Sequence, residues 1–153
     1  MKSNIFLIGM MGAGKSTIGN LLSQKLDIPF FDTDIEIEKI MEMSIDKIFN
    51  DFGENRFRMI ESVFFNECIK ANYNVYATGG GIVENPDIHK ALKNKYKDRP
   101  LIKDNYKNKI KNIYNKRYNQ YESCSHININ VNNYSESEIV DLIIKELNDR
   151  YNQ

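Results

Sequence analysis

Cysteine is scarce in this 153-residue chain: Cys68 and Cys124 are the only two, and they form no C-x-x-C pair. His126 lies two residues from Cys124, but two ligands do not close a zinc site. The pattern argues against a disulfide-stapled scaffold, and both thiols are expected to be reduced, as in a cytosolic protein. Net charge is also missing, because 21 Lys and Arg balance 21 Asp and Glu. Without a basic surplus there is no general pull toward nucleic acid or anionic membranes, so neither is expected as a partner. No apolar run approaches the ~18 residues of a spanning helix. The four apolar residues Ile5 to Ile8 are too few for a signal peptide. The expected location is the cytoplasm. No repeat and no linker rich in Gly, Ser or Pro divides the chain, so residues 1–153 are expected to form one domain.

What is present reads as strands alternating with helices. Ile5 to Ile8 is wholly apolar, which suits a strand covered on both faces in a parallel sheet. From Ser16 the period changes, with Ile18, Leu21, Leu22 and Leu26 at helical spacing. Phe30-Phe31-Asp32 is a second extended piece, followed by a helix marked by Ile37, Ile40 and Met41. Ser44 suits the N-cap of a short helix ending near Gly53, and Phe57, Ile60, Phe64 and Cys68 stripe a further one. Asn74 to Thr78 is the third strand candidate, and Pro86 opens a helix to about Asn94. A long polar helix carrying Tyr106, Ile110, Ile113, Tyr114 and Tyr118 is expected after Pro100. Ile127, Ile129 and Val131 alternate with asparagines, as in a half-solvated edge strand. Ser135 and Glu138 have capping-box spacing before a last helix. Such alternation implies an α/β fold with right-handed crossovers.

The segment from Gly9 to Ser16 fits G-x-x-x-x-G-K-[ST] at every fixed position. Glycines let consecutive amides converge on phosphate oxygens, and the following helix adds the positive end of its dipole. Lys15 supplies a mobile cation for the β- and γ-phosphates, and the Ser16 hydroxyl can ligate Mg²⁺. A nucleotide is therefore the expected ligand.

Other motifs are less decisive alone. Asp32 and Asp34 point the same way if the backbone is extended, so one could serve Mg²⁺ through water and the other a substrate hydroxyl; equally, they could cap a turn and a helix. Arg58 and Glu61 are spaced for an ordinary surface ion pair. Gly79-Gly80-Gly81 follows a strand, where open α/β sheets bind ligands, but a plain turn would look the same. Arg99 and Arg117 become interesting only if folding brings their planar forks to the loop.

In combination these residues resemble the shikimate kinase family of small P-loop kinases. The match runs in order through Gly9-x-x-Gly12-x-Gly14-Lys15-Ser16-Thr17, Asp32-x-Asp34, Gly53-Glu54-x-x-Phe57-Arg58-x-x-Glu61, Gly79-Gly80-Gly81, Arg99-Pro100-Leu101 and Arg117-x-x-x-Tyr121. The resemblance implies a three-layer P-loop kinase fold and phosphorylation of the 3-hydroxyl of shikimate by MgATP, a step toward chorismate and aromatic amino acids. Gly12, Ala13, Gly14, Lys15, Ser16 and Thr17 would hold the nucleotide phosphates, and Ser16 and Asp32 the metal. Asp34 would bind the substrate hydroxyls and orient or deprotonate the attacking one. Arg58 and Arg117 would clamp the carboxylate, with Glu61 orienting Arg58 and the Gly79, Gly80 and Gly81 backbone touching the substrate. Arg99 would close over the transferring group, so that Lys15, Asp34 and Arg99 carry the catalysis. A monomer is expected.

The family's parallel sheet has strand order 2-3-1-4-5, with an apolar fourth strand and an arginine-bearing lid helix ahead of the Arg-Pro-Leu motif. Here Lys93 to Asp98 joins the post-glycine helix directly to that motif, and no apolar run of strand length stands between Val83 and Ile127. Strand 4 is accordingly expected to be absent and the lid region near 93–105 shortened, the sequence lacking an internal segment of its parent. The lid arginine expected at adenine has no counterpart. Alternatives are another small-metabolite P-loop kinase, such as gluconate kinase, and a nucleotide-binding remnant without turnover.

Overall fold

The computed structural model describes residues 3–95, 100–103 and 111–151. Its first strand, β1 (Ile5–Leu7), is buried on both faces, as its apolar run requires. α1 (Lys15–Leu26) buries Ile18, Gly19 and Leu22 and ends at Asp27 in the left-handed region. β2 (Phe30–Asp32) leads at once into α2 (Thr33–Met41), whose N-cap is Asp32. α3 (Ile45–Cys68) is capped by the Ser44 hydroxyl and interrupted at Gly53 (φ 77°, ψ 168°), whose non-helical backbone separates the two helices expected on either side of it. β3 (Val75–Ala77) follows, then a 3₁₀ turn at Ile82–Glu84 and α4 (Pro86–Lys95). β4 (Pro100–Lys103), α5 (Lys111–Cys124), β5 (Ile127–Asn130) and α6 (Glu136–Tyr151) complete the order. Tyr106 and Ile110, expected on the helix after Pro100, lie outside the described residues.

β3 pairs in parallel with both β1 and β2, while β4 pairs in parallel with β5. The two groups meet where β4 runs against β1, which gives the order 2-3-1-4-5. The expectation that strand 4 is missing is thus overturned. Only Leu101 and Ile102 are apolar in β4, too short a run to stand out, and its proline occupies the first position, where a missing N–H is tolerated. Pro100 and Leu101 therefore enter the sheet, at the place where a gap was expected. β5 shows the alternation foreseen for it, with Ile127 and Ile129 buried and the asparagines exposed.

Period-two alternation along β1 divides the core. Ile5 and Leu7 face one layer with Leu22, Val75, Ile139, Val140 and Ile143 from α1, β3 and α6. Phe6 and Ile8 face the other with Phe65, Tyr76, Ile82, Leu92 and Tyr121. A smaller cluster of Ile37, Ile48 and Phe57 joins α2 to α3. Helices on both faces of a parallel sheet make the three layers.

Leu22 is fully buried between α1 and the sheet. Truncating it in Leu22→Ala should cost about 3 kcal/mol of unfolding free energy, read from the shift in urea midpoint at constant m-value.

Candidate active site

Strand register puts the site together. Leu7, Ala77 and Asp32 lie at one level across β1, β3 and β2. Two residues further along each chain are Gly9, Gly79 and Asp34, so the phosphate loop, the triple glycine and the acidic pair leave the sheet at the same end. Ligands of open α/β sheets bind there.

The loop bends at Gly9, Gly12 and Gly14, with φ of 145°, 77° and 78°. Gly14 is the N-cap of α1; no side chain bonds to the cap and no acidic residue occupies the first turn. The free amides and dipole of α1 are thus left open to an anion. Lys15 is buried, and its Nζ donates to the carbonyls of Gly9 at 2.9 Å and Met10 at 2.6 Å. Burial draws its pKa down to about 8, against the opposing pull of Asp34 and Asp32. Ala13 is buried behind the loop, whereas Ser16 and Thr17 are exposed at its mouth.

The Ser16 hydroxyl donates to Asp32 Oδ2 at 2.5 Å, while Asp32 Oδ1 accepts from the amides of Asp34 at 3.1 Å and Ile35 at 3.4 Å. Asp32 therefore caps α2 and faces the loop at once. Asp34 does not cap: its Oδ1 is buried without a hydrogen-bond partner. Burial raises the Asp34 pKa and the charge of Asp32 adds to this, outweighing Lys15 and Arg58. The Ser16 and Asp32 oxygens, side by side, suit Mg²⁺, a hard cation that keeps waters and phosphate oxygens as its other ligands. No group of three or more His, Cys, Asp or Glu among the described residues could hold a metal alone.

Arg58 Nη1 donates to Glu61 Oε2 at 2.9 Å and its Nη2 to Glu54 Oε1 at 3.2 Å, with the guanidinium over the Phe57 ring. Glu61 is only 2% exposed, so this is no surface pair, and its Oε1 has no hydrogen-bond partner. Burial pushes the Glu61 pKa up to about 7 in spite of Arg58. Arg117 reaches the same end from α5, its Nη2 donating to Glu84 Oε2 at 2.7 Å. That oxygen is also 3.9 Å from Arg58 Nη2. The two arginines thus converge on one carboxylate.

The triple glycine is there for space. A Cβ on Gly79 would lie 2.8 Å from Asp34 Oδ1 and 3.3 Å from Glu61 Oε1. One on Gly80 would lie 3.0 Å from the Met11 amide, and one on Gly81 only 2.1 Å from Arg58 Nη2. Tyr121 fixes the segment by donating its hydroxyl to the Gly80 carbonyl. Folding therefore gathers Lys15, Ser16, Asp32, Asp34, Arg58, Glu61, Gly79, Gly80, Gly81 and Arg117. Arg99 lies outside the described residues.

Two features escaped the sequence. Glu84 belongs to no motif, and the one signal it carries in the sequence is its place three residues after Gly81. A groove of about 330 Å³ beside the loop is lined by Gly12, Ala13, Gly14, Val131, Asn132 and Tyr134, with Glu136 and Ile139 from the start of α6; nothing in the sequence links these distant segments. A larger apolar groove of about 420 Å³ between α2 and α3, lined by Ile37, Ile40, Met59 and Val63, includes none of the gathered residues.

A parallel 2-3-1-4-5 sheet with a glycine-bent phosphate loop, its lysine and an acidic pair at one end defines a P-loop kinase. The sequence profile described as shikimate kinase matches residues 11–97. A shikimate kinase from Clostridium botulinum (strain Alaska E43) is 39% identical, the alignment taking in 95% of this chain and 97% of that one. Its 162 positions outnumber the residues here, so the relative carries residues without a counterpart. Another, from Rippkaea orientalis, is 56% identical over 82 residues, 54% of this chain and 44% of its own. Among solved structures, shikimate kinase from Acinetobacter baumannii in complex with shikimate superposes with a TM-score of 0.90 at 27% identity, covering 97% of this chain and 94% of that one. The chain belongs to the shikimate kinase family.

The raised pKa of Glu61 has a consequence for stability. Between about pH 4.5 and 7 the folded chain holds a proton at Glu61 that the unfolded chain releases, so stability falls as pH rises through that window. In Glu61→Gln this component should vanish, seen as a flatter plot of urea midpoint against pH over that range. A profile identical to wild type would remove Glu61 as its source.

Proposed function

We propose that this chain transfers the γ-phosphoryl group of ATP to the 3-hydroxyl of shikimate, giving shikimate 3-phosphate. One observation carries the reading: three consecutive glycines touch the phosphate loop, Asp34 and Arg58. A donor site, a base and a carboxylate clamp thereby share one small space. Shikimate has the matching parts, a ring with hydroxyls at one side and a carboxylate at the other.

In this reading the amides from Gly12 to Thr17 hold the ATP phosphates, and Lys15 exchanges its two carbonyl partners for phosphate oxygens. Arg58 and Arg117 take the substrate carboxylate, with Glu61 fixing Arg58. Asp34, with its buried, unpartnered oxygen and raised pKa, accepts the proton of the attacking hydroxyl. The γ-phosphoryl group passes through a loose transition state, so the protein chiefly positions the partners and supplies positive charge. Mg²⁺, held by Ser16 and through water by Asp32, would neutralise charge on the phosphates. Arg99 is assigned to the transferring group by resemblance. The groove bounded by Gly12–Gly14 and Val131–Tyr134 is the proposed seat of the nucleoside.

Residues 1–153 are read as a single kinase domain, working as a monomer in the cytoplasm. No helix among the described residues is long and apolar enough to cross a membrane. A second reading, a nucleotide-binding relative without turnover, is favoured by the family residues that have no counterpart here. Another small-metabolite kinase, such as a gluconate kinase, is disfavoured by the Asp32-x-Asp34 pair and the triple glycine Gly79-Gly80-Gly81.

ADP release coupled to shikimate and MgATP decides among these. The proposal expects shikimate-dependent turnover that falls about a hundredfold or more in Lys15→Met and in Asp34→Asn. Nucleotide-dependent melting without turnover, and no further rise with shikimate, would establish the second reading instead.

A further inference from the structure

Glu84 stands where two guanidinium groups meet. Its Oε2 accepts from Arg117 Nη2 at 2.7 Å and lies 3.9 Å from Arg58 Nη2, while Oε1 reaches Lys116 Nζ at 3.2 Å. Arg58 and Arg117 are 19% and 12% exposed, so the positive charge they bring together is poorly solvated. Arg58 is already paired with Glu61 and Glu54, whereas the acid partner of Arg117 among the described residues is Glu84, which also lies nearest the space between the two guanidinium groups.

We infer that Glu84 is an internal stand-in for the substrate's carboxylate: it occupies the Arg58–Arg117 clamp in the free protein and yields when an acid-bearing substrate arrives. This rests on the reading of the two arginines as the carboxylate clamp.

The geometry carries the point further than proximity does. Glu84 takes only one hydrogen bond from Arg117, at Nη2, and leaves the buried Nε without a hydrogen-bond partner. An arginine fork gives its strongest bond to a carboxylate that spans two N–H groups. A ligand carboxylate approaching the Nε–Nη2 edge gains both bonds, but only once Glu84 has left Nη2. Glu84 is poorly anchored against that exchange. Its other tie, Lys116, is 76% exposed, and such a pair holds weakly. Burial would raise the Glu84 pKa, but hydrogen bonds from Arg117 and Lys116 prevail and keep it below the ordinary range, so the stand-in is charged at neutral pH.

The device serves specificity. Stray monovalent anions offer the clamp no more than Glu84 already does, whereas a carboxylate fixed on a ring that is also held at Asp34 gains by exchange. Removing the stand-in should therefore help the true substrate and admit the wrong anions.

The test compares wild type with Glu84→Gln and Glu84→Ala in the coupled assay, varying shikimate with and without acetate. The expected result is a KM for shikimate lowered about three- to tenfold, the range a partly exposed ion pair allows. Acetate, ineffective on wild type at the same concentration, should become a competitive inhibitor against shikimate. Glu84→Ala should move both readouts in the same direction and covers the case of a misfolded Gln variant. An unchanged or raised KM, or acetate inhibition no stronger than in wild type, overturns the stand-in and leaves Glu84 as a support for Arg117. Arg117→Met, assayed in parallel, separates the layers: a KM for shikimate that stays at the wild-type value removes the clamp reading itself.

Discussion

Parallel pairing of β3 with both β1 and β2 is the constraint on which the site depends. Because the three strands run the same way and end at one level, every residue that follows them is delivered to the same edge of the sheet. Gly9, Asp34 and Gly79 are far apart in sequence, yet each sits two residues beyond its strand. A slip of one residue in β3 would turn Val75 and Ala77 to the opposite face and carry Gly79 away from Asp34. The core enforces the register, since Ile5, Leu7 and Val75 fill one layer while Phe6 and Tyr76 stack in the other.

Charge at that edge is arranged under strong desolvation. Lys15, Asp34 and Glu61 are each shifted toward their neutral forms by burial. Arg58 cannot respond in this way, and its partners Glu61 and Glu54 hold it charged although burial opposes them. The result is a fixed cation surrounded by groups whose protonation is easily changed. Such an environment suits phosphoryl transfer, in which protons and negative charge are redistributed over a short distance.

Much of this was legible because the chemistry demands particular residues at particular spacings. The loop motif announced itself, and β1, β3 and β5 had clear apolar or alternating runs. The acidic pair was ambiguous in sequence for a physical reason: Asp32 both caps α2 and accepts from Ser16, so the capping role falls to Asp32 and leaves Asp34 uncommitted. β4 was illegible because Leu101 and Ile102 alone are too short an apolar run to stand out from the polar residues around them. Pro100 and Leu101, read by resemblance as part of a motif, open β4. Glu84 was invisible for another reason, since its importance comes only from Arg58 and Arg117, which approach it from different helices.

The sheet consists of two hydrogen-bonded groups, and the groove beside the loop takes its lining from chain that follows a strand of each. One wall, Gly12 to Gly14, belongs to the β1 side, and the other, Val131 to Tyr134, follows β5. A molecule bound there would act as mortar as well as reagent. Whatever concentration of nucleotide surrounds the chain would then set how firmly its two halves cohere, making structural endurance answer to metabolic supply.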